Sequence, residues 1–241
     1  MSKALFPPTA KGRKYEQQAR NIRNFAGLKR DEDPLDPFAL APYAGLLVVD
    51  FTQIEGLSEQ ARNHLLGDGS KDWSGGTLTR PLPNGRQLVI LNPKHGLQRH
   101  QATLMEEVCH VFLGHKANKL EIAKTNEQGQ IVARDYHDAD EEEAYAVGAA
   151  ALVPYAALHR FVTTGKTTFQ IAKHFGVSRQ LAIYRIQISM LWPEYKKRHP
   201  AEVEEYNQKY NAQFNRLEKS VESIESGESV ITTETKGQST A

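Results

Sequence analysis

The chain has 241 residues, 39% of them hydrophobic, and its 30 basic side chains nearly balance its 29 acidic ones. This composition is typical of a globular protein with one medium-sized domain and an appendage, or with two small domains. The formal net charge of +1 excludes a global field that would attract nucleic acid or an anionic membrane.

The cysteine content and the lengths of the apolar runs indicate the cellular compartment of the protein. The single cysteine, Cys109, excludes an internal disulfide and a cysteine-rich zinc site, and it is typical of a reducing compartment. The first residues, MSKALFPPTAKGRK, lack the apolar core of a signal peptide, and no run approaches the roughly 18 apolar residues of a membrane span. We therefore expect a cytoplasmic protein without a membrane segment.

The first half of the chain predicts two helices and two strands. Residues 13–30 carry apolar side chains at three- and four-residue spacings, which indicates an amphipathic helix with a basic outer face. The short, apolar, β-branched runs 45–51 and 87–91 are typical of strands in a small sheet. Between them, residues 58–69 predict a helix closed by glycine.

The second half predicts buried helices and a paired helical segment. Residues 103–113 are mostly apolar and precede a glycine, which indicates a buried helix. Residues 141–154, EEEAYAVGAAALVP, predict an alanine-rich helix that lies close to a neighbour and stops at a proline. Residues 167–191 have the spacing of two helices joined by a tight turn, a helix-turn-helix pattern.

The C-terminal part predicts one more helix. Apolar side chains recur at threes and fours over residues 203–224, which indicates an amphipathic helix. Its tyrosines are bulky for a dimer seam, so we expect it to pack within the chain. The last dozen or so residues are expected to be disordered, because GQSTA and the Thr/Ser-rich residues before it have nothing to pack against.

The stretch TLMEEVCHVFLGH, residues 103–115, is similar to a zinc helix of the H-E-x-x-H type in which glutamate replaces the first histidine. The four-residue spacing of Glu106 and His110 points both side chains the same way, so both can reach one ion. Glu107 takes the place of the general base. Zinc also accepts carboxylate oxygen, and a third ligand often comes from a later helix. The candidates for that ligand are Glu141, Glu142 and Glu143.

A second interpretation needs no metal. Adjacent glutamates on a helix are most often a solvated face. The apolar neighbours argue against that face here, so Glu106 and Glu107 need partners such as a metal, Arg99 or a histidine. The interpretation without a metal is therefore a helix held by ion pairs.

Other side chains near this stretch have simpler expected roles. His115, just past the helix end, is expected to cap the helix at the negative end of its dipole. Cys109 points about 100° away from the direction of His110, so we expect a buried structural thiol. His100 and His137 are expected at the surface.

The residues around this helix resemble the ImmA/IrrE family of metallo-endopeptidases. LVILNPKHGLQRHQATLMEEVCHVFLGH is similar to the family's strand, asparagine, arginine and threonine leading into H-E-x-x-H-x-x-L-G-H. EEEAYAVGAAALVP fits the second family block, E-x-x-A-N-x-F-A-x-x-L-L-M-P, without a gap, although Tyr145 and Val147 depart from it. The resemblance spans roughly residues 45–191. It implies an α+β, mostly α fold: a zincin-like domain with a small sheet packed on the metal-site helix, followed by a helix-turn-helix-like segment.

The resemblance also implies roles. His110 and Glu141 would be metal ligands and Glu107 the base that activates a bound water, while among these site positions only Glu106 departs from the family. If Glu106 is the third ligand, two carboxylates compensate the charge of the metal, and slower hydrolysis is expected because the metal is a weaker Lewis acid. The implied cofactor is one divalent metal ion, and zinc is the first expectation. A carboxylate at position 106 is a harder ligand than the family's histidine, and it shifts the preference weakly toward manganese or iron.

The function implied by the resemblance is cleavage of a regulatory protein, namely a transcriptional repressor. The competing hypothesis is a non-catalytic regulatory module that binds a protein or DNA through residues 167–191. In the DNA-binding form, Ser178, Arg179 and Gln180 would begin a recognition helix. Few cations accompany them, so packing or protein docking is favoured over DNA.

The predicted organisation has five parts. They are a leader with an amphipathic helix (1–40), a peptidase domain (41–160), a helix-turn-helix-like segment (161–200), a C-terminal amphipathic helix (201–228) and a disordered tail (229–241).

Overall fold

A computed structural model describes residues 5–78, 81–115, 124–125, 131–133 and 138–209 of the chain. Its contacts divide the chain into two compact units, Met1–Tyr195 and Lys196–Ala241. Three sequence predictions lie outside the described residues: the surface position of His137, the apolar pattern beyond residue 209, and the disordered tail.

The helices have bounds that follow local capping signals. Thr9, Ser58 and Ser178 each accept a backbone N–H at the start of a helix. Left-handed glycines end two others, Gly114 with φ 72° and Gly176 with φ 69°. The helices are α1 (Ala10–Phe25), α2 (Pro37–Leu40), α3 (Glu59–Leu66), α4 (Leu97–Leu113), α5 (Asp138–Leu152), α6 (Tyr155–Thr163), α7 (Thr168–Phe175), α8 (Arg179–Ile188) and α9 (Trp192–Arg198).

A small mixed sheet lies against α4. Its strands are β1 (Leu46–Val49), β2 (Gly75–Thr77) and β3 (Gln87–Leu91), in the order β1-β3-β2. β1 is parallel to β3, whereas β2 is antiparallel to it. A separate antiparallel pair joins β4 (Lys124–Thr125) to β5 (Ile131–Ala133). β2 is therefore an edge strand of the three-stranded sheet.

Helix α4 forms the centre of the first unit. It packs against α5 on one side and against β2 and β3 on another. Met105 and Cys109 of α4 are fully buried, and Gly148 of α5 lies so close that a Cβ atom there would be 3.4 Å from Met105 Cγ and 3.5 Å from Cys109 Sγ. The small residues of α5 thus permit the close helix packing that the sequence predicts.

Charged side chains inside the unit connect α1 to the later helices. Glu16, on α1, accepts hydrogen bonds from the Arg185 guanidinium (2.9 Å) and from the backbone N–H of Tyr155. Arg185 also donates to the carbonyl of Val153 (3.0 Å). Both charges are almost fully buried, so each depends on the other for compensation.

The expected fold class, α+β and mostly α with a small sheet packed on the helix of Glu106 and His110, is confirmed. The strands predicted at 45–51 and 87–91 are β1 and β3. α4 begins at Leu97, six residues before the predicted start. The prediction missed its first turns because their residues are mostly polar and lack the apolar periodicity. α2, β2, α6 and α9 were not predicted.

In the second unit the structure describes residues 196–209, which are helical at 196–198 and 200–209. Two side-chain bonds between residues four apart support this helix, Gln208 to Glu204 (3.1 Å) and Lys209 to Glu205 (2.7 Å).

Within the described parts of the chain, no single helix has the length and apolarity of a membrane span. Taken together, α5 and α6 reach that length and apolarity by composition alone, but the pair is bent by 58°.

Candidate metal centre

The site is built on the polar stripe of α4. Leu104 and Val108 are fully buried, and this anchors the helix so that Glu106, Glu107 and His110 emerge at the border of the core, each partly covered. Glu106 and Glu107 are adjacent on the helix and point about 100° apart. They therefore meet different neighbours.

Glu107 faces the edge strand β2. Its Oε2 atom accepts a hydrogen bond from the Thr77 hydroxyl at 2.6 Å. Burial raises the pKa of Glu107, while the Thr77 bond and His110 oppose the rise. Thr77 was not predicted, because β2 has the sequence Gly-Gly-Thr and carries no strand signal.

Glu106 faces α5. Burial raises the pKa of its carboxyl to about 7, and the negative charges of Glu141 and Glu107 add to the rise. Arg99 does not compensate these charges in the described structure, because its guanidinium donates to Ser74 Oγ (3.0 and 2.6 Å). The negative charges of Glu141 and Glu107 thus act on Glu106, and this electrostatic environment favours a cation.

His110 meets α5 at the same place. Its Nε2 atom lies 3.6 Å from Glu141 Oε2. A ring nitrogen that holds a lone pair would be repelled by the carboxylate at this distance, so a cation or a proton fits between them. The structure brings His110 and Glu141 together, yet no group of three His, Cys, Asp or Glu side chains is preassembled around an ion position in the residues it describes.

The other two third-ligand candidates are engaged elsewhere. Glu142 forms an ion pair with Lys11 of α1. Glu143 forms one with Lys14 (2.7 Å) and accepts a bond from Gln18 (2.8 Å). The pKa of Glu143 is lowered, chiefly by the Lys14 bond. Of the three consecutive glutamates, Glu141 is therefore the one directed to His110.

His115 contacts His110 through its ring as well as through the end of the helix. Its backbone N–H does bond the carbonyl of His110 (2.9 Å). Its ring folds back so that the two Nδ1 atoms lie 3.1 Å apart, and only 8% of its side chain is exposed. Gly114 is a weak sequence signal for this contact, since it lets the chain turn back on α4.

Two further sequence expectations concern single side chains. Cys109 is a free, buried thiol, and burial raises its pKa, in agreement with a structural role. His100 Nε2 lies 2.7 Å from the carbonyl oxygen of Asn92, at the end of β3. Asn92 itself donates to the carbonyls of Ser70 (2.7 Å) and Trp73 (2.8 Å), so its amide fixes the loop that leads into β2.

Two of the three side chains predicted to contact DNA make hydrogen bonds within the protein. Ser178 caps α8 by accepting from the backbone N–H of Leu181 (3.1 Å). Arg179 donates to Thr168 Oγ1 (2.8 Å), and Gln180 is exposed. These contacts favour a packing role for the start of α8.

The comparison with known protein families agrees with the sequence resemblance. The family model Peptidase_M78, the IrrE N-terminal-like domain, matches residues 67–187, which is half of the chain. No curated protein matches. A solved structure titled "Mycobacterium tuberculosis transcriptional regulator" is similar at 14% identity with a TM-score of 0.42. The match covers 72% of this chain and 46% of that one, so the chain spans less than half of that protein. On the family match, the chain belongs to the ImmA/IrrE family, whose domain is that of a metallopeptidase.

Proposed function

We propose that the protein is a metallo-endopeptidase of altered metal site and reduced activity, which cleaves a regulatory protein such as a transcriptional repressor. The observation that carries the proposal is the 3.6 Å approach of His110 Nε2 on α4 to Glu141 Oε2 on α5, with Glu106 close enough to feel the charge of Glu141. The donor set of two carboxylates and one imidazole suits a divalent cation, zinc first, with manganese or iron as alternatives.

A bound metal would supply Lewis acidity and lower the pKa of a water molecule. The chain's own part is proton transfer at Glu107, whose carboxylate would accept the proton of that water and return it to the leaving amine. Burial raises the pKa of Glu107 above its ordinary value, and a rise in this direction suits a group that both accepts and donates a proton. The Thr77 hydroxyl holds Glu107 Oε2 in one orientation.

The edge strand supports a polypeptide substrate. β2 ends the three-stranded sheet, and its residue Thr77 contacts Glu107 directly. An extended peptide that pairs with the outer edge of β2 by backbone hydrogen bonds would lie alongside the catalytic carboxylate. We propose a repressor as that substrate, in the cytoplasm, where the unpaired thiol of Cys109 would stay reduced.

The second candidate is a non-catalytic module that binds a protein. The observation that favours it is that the described residues hold no preassembled three-ligand group. DNA binding has less support, because Arg179 bonds Thr168 and Arg185 is buried against Glu16, so neither cation extends freely toward a phosphate backbone.

Elemental analysis of untagged protein, purified without chelator, tests the proposal. We expect about one metal per chain, lost in Glu106→Ala, His110→Ala and Glu141→Ala. Glu142→Ala is the matched control, because Glu142 neighbours Glu141 but pairs with Lys11. A chain that takes up no zinc, manganese or iron would refute the metallopeptidase and leave the binding module.

Cleavage is tested separately in protein that contains metal. Repressor proteins with a helix-turn-helix are incubated with the wild type and with Glu107→Gln, which keeps the shape of the side chain but cannot accept the proton. We expect slow, site-specific cleavage by the wild type and a loss of about 100-fold or more in the variant. Equal cleavage by both proteins would remove Glu107 from the mechanism.

A further inference from the structure

A cavity of about 330 Å³ lies between α1, the loop that follows it and the start of α6. Its volume is at the lower end of the range, about 300–1,000 Å³, of pockets that hold small organic ligands. None of the residues that we assign to the candidate metal centre lines it. The cavity and the metal centre are therefore built from different residues of the first unit.

Cations outnumber carboxylates in the lining of this cavity. The lining residues of α1 are three or four positions apart, so their side chains point the same way, and the loop after α1 contributes further charges. The charged members are four cations and two carboxylates: Arg20, Arg23, Lys29, Arg30, Glu16 and Asp31. The formal charge of the lining is therefore +2, and a recess with an excess of one sign attracts the opposite charge.

The two most buried charges of the lining are committed to the protein. The carboxylate oxygens of Glu16 accept from Arg185 and from the backbone N–H of Tyr155. Arg23 is close enough to Asp31 for that negative charge to raise its pKa, against the larger lowering by burial. The guanidinium of Arg23 donates to the carbonyls of Ala151, Arg30, Asp31 and Asp33. These bonds fix the shape of the cavity and compensate both charges.

The excess positive charge resides on Arg20 and Lys29. Arg30 forms an ion pair with Glu32 (3.0 Å). In the described part of the chain, neither Arg20 nor Lys29 has a carboxylate partner or a side-chain hydrogen bond. The half-buried guanidinium of Arg20 lies over the Phe6 ring, 5.3 Å from its centroid, a contact that uses none of its N–H groups. Two cations thus remain available to a ligand with two negative charges.

The rest of the lining includes an apolar part. Leu28, Pro154 and Ala156 contribute carbon atoms to the wall, so a bare inorganic anion would use only the cationic part. A phosphate monoester carries about two negative charges at neutral pH and an organic group that can contact the apolar part. The planar fork of arginine and the point charge of lysine both suit phosphate oxygens.

We propose that this cavity is a binding site for a small molecule that carries a phosphate monoester. Arg20 and Lys29 hold the phosphate group. The organic group contacts Leu28, Pro154 and Ala156. This site gives a function to part of the basic face of α1 that the sequence predicts, and it does not depend on peptidase activity.

Calorimetric titration of the full chain with phenyl phosphate, in the presence of chelator, tests the site. We expect saturable binding, weakened by about 10-fold or more in Arg20→Ala and in Lys29→Ala, because each variant loses a charge-assisted hydrogen bond. Lys29 is exposed, so its replacement should leave the fold intact. Arg13→Ala is the matched control, because this arginine of α1 donates to the Pro8 carbonyl and lies outside the lining.

Two results of that titration would overturn the proposal. One is the absence of saturable binding to the wild type. The other is equal affinity in the wild type, Arg20→Ala and Lys29→Ala, which would place the ligand elsewhere.

Related probes decide the chemistry of the ligand. Methyl phenyl phosphate keeps the ring with one negative charge, phthalate carries two carboxylates, and inorganic phosphate lacks the ring. We expect each to bind about 10-fold or more weakly than phenyl phosphate. Equal affinity for any of them would contradict, respectively, the need for two charges, for phosphate, or for an organic group. Tighter binding of a phosphoserine peptide than of free phosphoserine would assign the site to a phosphoprotein instead.

A repeat of the titration without chelator, in zinc-loaded protein, separates this site from the metal centre, because phosphate also binds metal ions. We expect the same affinity with and without zinc, and wild-type affinity in His110→Ala. Binding that requires zinc would place the ligand on the metal and overturn the inference. Failure of the protein to bind zinc would refute the proposed metallopeptidase and leave this site untouched.

Discussion

Replacing Glu106 by glutamine should stabilise the metal-free protein at alkaline pH. Burial beside Glu141 and Glu107 raises the pKa of Glu106 to about 7. The folded state therefore holds a proton on Glu106 that the unfolded chain has lost, over the range from about 4.5 to about 7. Since the folded state binds more protons there, the free energy of unfolding falls as pH rises through that range.

The size of the effect follows from the same values. Each pKa unit is worth about 1.4 kcal/mol, so the rise from 4.5 to about 7 corresponds to at most about 3 kcal/mol lost above pH 7. Residual solvent at the partly covered carboxyl lowers this to about 2 kcal/mol. Glu106→Gln removes the ionisation and with it this part of the loss.

Urea unfolding at pH 5 and pH 8, with chelator and followed by circular dichroism, measures the effect. We expect Glu106→Gln to lose about 2 kcal/mol less than the wild type between the two pH values. Glu142→Gln, an exposed carboxylate paired with Lys11, is the control and should lack this difference. If the wild type and Glu106→Gln lose stability equally, the argument from crowded carboxylates is refuted.

Three other changes test contacts described above. Thr77→Val should raise the pKa of Glu107 and shift the acid limb of the pH–rate profile upward, because the bond that lowers this pKa is lost, whereas Thr77→Ser should leave the limb in place. Glu16→Gln should lower the free energy of unfolding by about 3 kcal/mol or more, because it leaves the charge of Arg185 buried and uncompensated; an unchanged urea midpoint would contradict the buried pair. Cys109 should not react with a disulfide reagent until the protein unfolds, because its thiol is buried, and rapid reaction of the native protein would show an open α4–α5 contact.

Local signals explain which parts of the fold were predictable. Ser178 and Gly176 mark the ends of α8 and α7 in the sequence itself, and the structure uses both as caps. The apolar runs of β1 and β3 are equally local. β2 was not predicted, because its Gly-Gly-Thr sequence has no strand signal. It is a strand because it pairs with β3.

The candidate site could likewise be predicted from the sequence only where its geometry is local. The four-residue spacing of Glu106 and His110 is a local property of a helix, so their common direction could be predicted. The sequence left Glu141, Glu142 and Glu143 open as third ligands, because the two lysines that engage the others lie on α1, more than a hundred residues earlier. The contacts of Thr77 with Glu107 and of His115 with His110 depend on tertiary structure, which spacing alone does not reveal.

The buried bond between Glu16 and Arg185 has a consequence for the order in which the protein folds. The two residues are 169 positions apart, and the ribosome adds residues from the N-terminus at about 5–20 per second. α1 is therefore exposed for many seconds before α8, which supplies its partner charge, has been synthesised. Contacts between such distant segments also slow folding. We expect the native core to close after synthesis of α8, which makes the nascent N-terminal helix a natural client for chaperones.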